Sequence, residues 1–82
     1  MTDAELREHA HAIMHRPYRT VIAGSSEEGF LAEAPELPGC ISAGESEDEA
    51  RANLREAMTG WLMSALARGL PVPDPELTRT SH

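Results

Sequence analysis

A single long helix constrains this sequence more than any other feature. Its start is written as Ser46-Glu47-Asp48-Glu49, a capping box in which the serine hydroxyl accepts the N–H three residues on and Glu49 reaches back to the cap. Three acids in the first turn also suit the positive end of the helix dipole. Behind them Ala50, Leu54, Ala57, Met58, Trp61, Leu62, Ala65 and Leu66 recur with helical period, and Gly69 stands where a left-handed C-cap belongs. Some 22 residues in such a helix reach roughly 33 Å, whereas a compact chain of 82 residues has a radius of gyration near 12 Å and a diameter of about 30 Å. The helix therefore crosses the whole domain, and every other element must be arranged against it.

The segments before that helix are short and sharply punctuated. Residues 3–15 place Leu6, Ala10, Ile13 and Met14 on one helical stripe, and Pro17 disfavours helical geometry at Arg16, which stops the helix by His15. Residues 18–23 alternate as a strand does, with Tyr18, Thr20 and Ile22 on one face and Arg19, Val21 and Ala23 on the other. A polar turn over 24–29, bracketed by Gly24 and Gly29, leads to an antiparallel partner at 30–34 that puts Phe30, Ala32 and Ala34 on one face. Pro35 and Pro38 end it, because proline lacks the N–H a ladder needs; residues 40–43 then make a third strand closed by Gly44. Beyond the long helix, Pro71, Pro73 and Pro75 enforce an extended path, leaving 76–80 as a short edge strand at most. The organisation is an N-terminal amphipathic helix (1–16), an α+β domain (17–75) and a tail or edge strand (76–82).

Charge narrows the function. Fourteen carboxylates against seven basic residues give a formal net charge of -7, the opposite of the basic footprint that phosphate binding favours. Direct nucleic-acid binding is not expected. Between Arg19 and Arg51 there is no Lys or Arg, yet Glu27, Glu28, Glu33, Glu36, Glu45, Glu47, Asp48 and Glu49 fall there. So uneven a field would steer a basic protein towards the domain. The single cysteine, Cys40, can form no disulfide within the chain and fits a reducing cytoplasm. No signal peptide or membrane span is read in the sequence.

Candidate chemistry dissolves on inspection of the motifs. His11 and His15 have the spacing of a zinc pair, but Ala12 stands where the protease motif needs Glu, so partly exposed helix histidines are the better reading. The run Glu45, Glu47, Asp48, Glu49 could suggest magnesium, yet a two-metal site needs carboxylates converging from different elements, and capping already accounts for these acids. Cys40 has no sequence-marked activating base, the serines occupy no nucleophile elbow, and 24–29 lacks the Gly-Lys-Ser/Thr ending of a Walker loop. No catalytic, cofactor or metal residues are assigned. Trp61 lies on the apolar stripe of the long helix, as a core residue first and an interface aromatic second.

The segments PELPGCISAGESEDEA, NLREAMTGWL and RGLPVPDP, in that order after two strands, together resemble the HicB-like antitoxin family over residues 18–75. The ordered markers include Gly29, Pro35, Leu37, Pro38, Gly39, Cys40, Gly44, Ser46, Glu49, Leu54, Trp61, Gly69, Pro71 and Pro73. The resemblance implies a β-β-β-α-β arrangement similar to a partial ribonuclease H fold without that enzyme's metal site. It further implies a partner: a small basic ribonuclease toxin of the HicA type, whose active histidine and RNA surface the antitoxin covers. Fuller members continue into a helix-turn-helix or ribbon-helix-helix segment that binds operator DNA, which the residues after Pro75 do not offer. Operator binding is accordingly not expected, and a stand-alone oligomeric domain without a toxin is the alternative reading.

The expectation is one α+β domain, a three- or four-stranded mainly antiparallel sheet with one face on the long helix. Its core centres on Leu54, Met58, Trp61 and Leu62 against Phe30, Ile22 and Tyr18. Partner contacts are expected at Glu33, Glu36 and Glu45, where charge reversal should weaken binding. With only three aromatics and a strand edge to protect, a homodimer or tetramer is expected.

Overall fold

Helix α2 (Glu47–Ala67) begins where the cap residues place it: Ser46 is extended, and its hydroxyl accepts the Glu49 N–H at 3.0 Å. The computed structural model that contains it describes residues 1–75. The return arm of the cap differs from expectation. Glu49 Oε1 accepts from the N–H of Glu45, one residue before the cap, at 2.5 Å. That amide lies just beyond the last ladder pair of the sheet, Phe30 with Gly44, and so needs a partner. At the other end Gly69, with φ +68°, closes a Schellman motif in which Leu70 N–H donates to Ala65 and Gly69 N–H to Leu66.

Strands β1 (Val21–Ser25), β2 (Gly29–Glu33) and β3 (Ile41–Gly44) form an antiparallel sheet in sequence order, and with α2 they give an α+β fold. The first strand starts three residues later than its alternation suggests. Tyr18 and Arg19 are engaged elsewhere, the Tyr18 hydroxyl donating to the Pro73 carbonyl and the Arg19 backbone to Glu36. It also runs further, because Gly24 and Ser25 pair with Phe30 and Gly29, which shortens the turn to three residues pinned by Glu28 N–H on Ser25 Oγ. Helix α1 (Asp3–Ile13) packs on α2 rather than on the sheet. It carries a full capping box, Thr2 with Glu5, and its last turn tightens through His15 and Arg16 N–H groups donating three residues back.

The helix and sheet meet over small residues. A Cβ on Gly44 would lie 2.4 Å from the Ala50 nitrogen, so only glycine lets the start of α2 cross β3 this closely. Ala32 and Ala34 are fully buried beneath the helix, with Leu54, Met58 and Leu62 above them. The expected centre is thus corrected on both the sheet and the helix side. Tyr18, Ile22, Phe30 and Trp61 are half-buried and pack around the rim of the core. The centre is filled instead by Leu37 and Cys40, delivered by the 34–40 loop. That loop folds on itself through Leu37 N–H to Ala34, Cys40 N–H to Leu37 and Ala34 N–H to Cys40, and Trp61 Nε1 fastens it by donating to the Pro38 carbonyl at 2.9 Å. The expected strand at 76–80 lies outside the described residues.

Candidate functional site

Strand alternation sorts the sheet into an inner face under α2 and an outer face that no described element covers. The ladder sets the outer face in rows. Val21, Glu33 and Ile41 form one row; Ala23, Leu31 and Ala43 the next; Ser25 and Gly29 the third, beside which Glu45 leaves the sheet. Val21, Leu31 and Ile41 are each about half exposed (48%, 52% and 51%), which is a large apolar display for so small a sheet. Around Leu31 the surface sinks into a hollow of about 650 Å³, lined by Ala23, Phe30 and Ala43 and flanked by Glu28 and Glu45.

Of the three acids expected to meet a partner, the structure brings Glu33 and Glu45 to this face, both exposed. They stand at opposite ends of it, about 13 Å apart by strand rise. Glu36 is placed differently. Its side chain is 2% exposed, with Oε2 3.4 Å from Arg19 Nε and Oε1 accepting the Arg19 N–H at 3.2 Å. The 34–40 loop turns inward to bury Leu37, and the preceding carboxylate is carried in with it. The other acids of the interval, Glu27, Glu28, Glu47, Asp48 and Glu49, are exposed. The β1–β2 turn and the start of α2 both lie at the Gly29–Gly44 end of the sheet, so most of the negative charge gathers at one end.

The remaining candidates have local explanations. His11 and His15 share a small hollow with Arg55, whose guanidinium opposes a divalent cation there. Among the described residues no three His, Cys, Asp or Glu side chains converge as a metal-holding group. Burial pushes the Cys40 thiol up from its ordinary pKa, so it stays protonated rather than nucleophilic. Burial likewise raises Tyr18, whose hydroxyl ties the segment after α2 to the segment before β1. Pro35, Pro38 and Gly39 lie in the loop that buries Leu37, with Gly39 at φ +80°, while Gly44, Ser46, Glu49 and Gly69 stand at the start and stop of α2. Gly29, also at positive φ, closes the hairpin turn. Among the described residues no helix is long and apolar enough to cross a membrane.

The sequence reading did not single out Leu31, Val21 and Ile41. A signal existed, since 21–23 and 30–32 are apolar at both parities, the pattern of a strand with two buried faces.

Comparison with known proteins agrees with this architecture. The family described as HicB_like antitoxin of bacterial toxin-antitoxin system matches residues 18–81. The UPF0150 protein ssr1765 of Synechocystis is 33% identical over 60 residues, covering 73% of this chain and 76% of its own. The UPF0150 protein Ta0767 of Thermoplasma acidophilum is 33% identical over 55 residues, covering 66% and 80%. The crystal structure of TTHA0281 from Thermus thermophilus superposes with a TM-score of 0.59 at 31% identity, over 96% of this chain and 94% of that one.

Proposed function

The chain belongs to the HicB-like antitoxin family, and from that premise we propose that it binds and neutralises a small basic HicA-type ribonuclease toxin by covering its active site. The observation that carries this reading is the one-sided gathering of exposed carboxylates, uncompensated by any Lys or Arg between Arg19 and Arg51. A basic RNA-binding surface is attracted to such a field, and its phosphate-binding cations are then occupied by carboxylates instead of RNA. The protein acts by binding, with no catalysis of its own. Glu33 and Glu45 are the contact residues; Glu36 is held against Arg19 in the loop that follows β2. The buried, unpaired Cys40 suits a reducing cytoplasm. Self-association to a dimer or tetramer runs through the strand edges, since β1 and β3 each have one side without a strand among the described residues.

The test is co-expression with the small basic reading frame neighbouring the gene in its host. Rescue of the growth arrest caused by that toxin is expected, with rescue weakened by Glu33→Arg and Glu45→Arg together. Absence of rescue by a folded, soluble wild-type chain overturns the reading. Light scattering at micromolar concentration is expected to give a dimer or larger species, and a monomer alone would overturn the assembly.

A further inference from the structure

We infer that the bare outer face of the sheet, floored by Val21, Leu31 and Ile41 and rimmed by Glu28, Glu33 and Glu45, seats an amphipathic segment of a basic protein partner that inserts an apolar side chain between two cations. This rests on the reading above and assigns the surface through which it operates. Exposure alone does not name the occupant; the charge pattern does. Leu31 sits over the hollow in the middle row, with a carboxylate one row away at Glu33 and two more flanking the hollow at Glu28 and Glu45. Rows on one face of a strand are spaced by two residues, about 6.7 Å. A partner strand presenting Arg, Leu and Arg at alternate positions has the same spacing, so its leucine reaches the hollow as its guanidiniums reach the carboxylates. Among the described residues none of Glu28, Glu33 and Glu45 is ion-paired with a cation of the chain, the nearby Arg51 lying against Asp48 instead.

A second copy of this chain is the natural rival, and charge disfavours it. A copy laid face to face would bring another Glu28, Glu33 and Glu45 into the same desolvated layer, where like charges repel more strongly than in water. A basic partner turns the same carboxylates from repulsive into attractive.

The experiment uses the full chain, labelled with ¹⁵N, and a synthetic peptide carrying Arg, Leu and Arg at alternate positions with serine between. Amide shifts are expected at Val21, Ala23, Leu31 and Ala43. Affinity should fall at least tenfold in the double variant Leu31→Ser, Ile41→Thr, both positions being half exposed and the melting temperature of the variant serving as the folding control. In Glu28→Gln with Glu45→Gln it should fall comparably, and in Glu8→Gln with Glu56→Gln, both exposed and on the helices away from this face, it should be unchanged. Shifts confined to α2, or an affinity that the outer-face variants leave unmoved, would overturn the assignment. So would shifts of the same amides on dilution without peptide, which would give the face to a second copy. Growth rescue separates the two layers: a wild type that fails to rescue sinks the antitoxin reading, whereas a Leu31→Ser, Ile41→Thr variant that rescues as well as wild type sinks only this surface.

Discussion

At Glu36 a carboxylate that is 2% exposed depends on a guanidinium that is itself about half in water, Arg19 at 54%. The pair is asymmetric, and so is the cost of breaking it. Removing Arg19 takes one cation from the buried carboxylate, and breaking a wholly buried pair costs about 3–5 kcal/mol; the exposure of Arg19 lets water replace part of the loss. Arg19→Ala is therefore expected to destabilise by about 2 kcal/mol, which lowers the melting temperature by roughly 8–16 °C in a domain of this size. Glu33→Gln, at an exposed position, should stay within about 0.5 kcal/mol. Thermal denaturation of the two variants side by side checks both, and equal effects would contradict the burial of Glu36. Cys40 supplies a pH test. Burial raises its folded pKa above the unfolded thiol value of about 8.5, so the protein favours the neutral thiol. The stabilisation it contributes is complete below that value and is lost as pH rises through the folded pKa. Melting temperature should decline above about pH 8.5 in the wild type and decline less in Cys40→Ala, whose midpoint at neutral pH starts lower because of the cavity.

The two glycines that bracket α2 do different work, and substitution separates them. Gly44 is a close-approach residue: an added Cβ meets the Ala50 backbone, which no rotamer change can relieve. Gly69 is a conformational residue, held at φ +68° with nothing within 4 Å of an added Cβ. Alanine at Gly69 should cost about 1 kcal/mol for the left-handed backbone, whereas alanine at Gly44 should cost at least about 2–3 kcal/mol as overpacking against backbone. Urea midpoints will order them, and the reverse order would mean that the α2–β3 crossing is looser than described. Both ends of α2 were legible because caps are local chemistry, readable within five residues. The Thr2–Glu5 box of α1 is the same motif at the other end of the chain and equally local. The core was only half legible. Helical period marked Leu54, Met58 and Leu62, but nothing local says that a loop between two prolines folds inward to bury Leu37 and Glu36. Strand starts shifted for the same reason, because Tyr18 and Arg19 answer to Pro73 and Glu36, each distant in sequence. The acidic end was foreseeable from composition, while the apolar floor beside it required the ladder register to be known.

As a whole the molecule is a plate of two layers, 18 Å along its thinnest axis, with its acids crowded to one end of the sheet. In so thin a body the helix side does little to bury or hide that charge, and its reach is set by salt. The Debye length falls from about 30 Å at 0.01 M to about 8 Å at 0.15 M, that is, from longer than the plate is thick to less than half of it. At low salt an approaching cationic surface is therefore turned towards the acidic end from any side, and at physiological salt only once it is nearly in contact. Steering of this kind acts on encounter, whereas the apolar floor around Leu31 acts on departure. With a basic toxin partner, the association rate should fall at least about tenfold between 0.01 M and 0.3 M salt while the dissociation rate changes by less than about threefold. Glu28→Gln with Glu45→Gln should lower the association rate and flatten its salt dependence, and Leu31→Ser should leave association nearly untouched while quickening dissociation. Stopped-flow mixing over a salt series resolves these. If the salt dependence fell on dissociation instead, the carboxylates would contribute more to holding the partner than to drawing it in, and the division between a steering rim and a holding floor would be wrong.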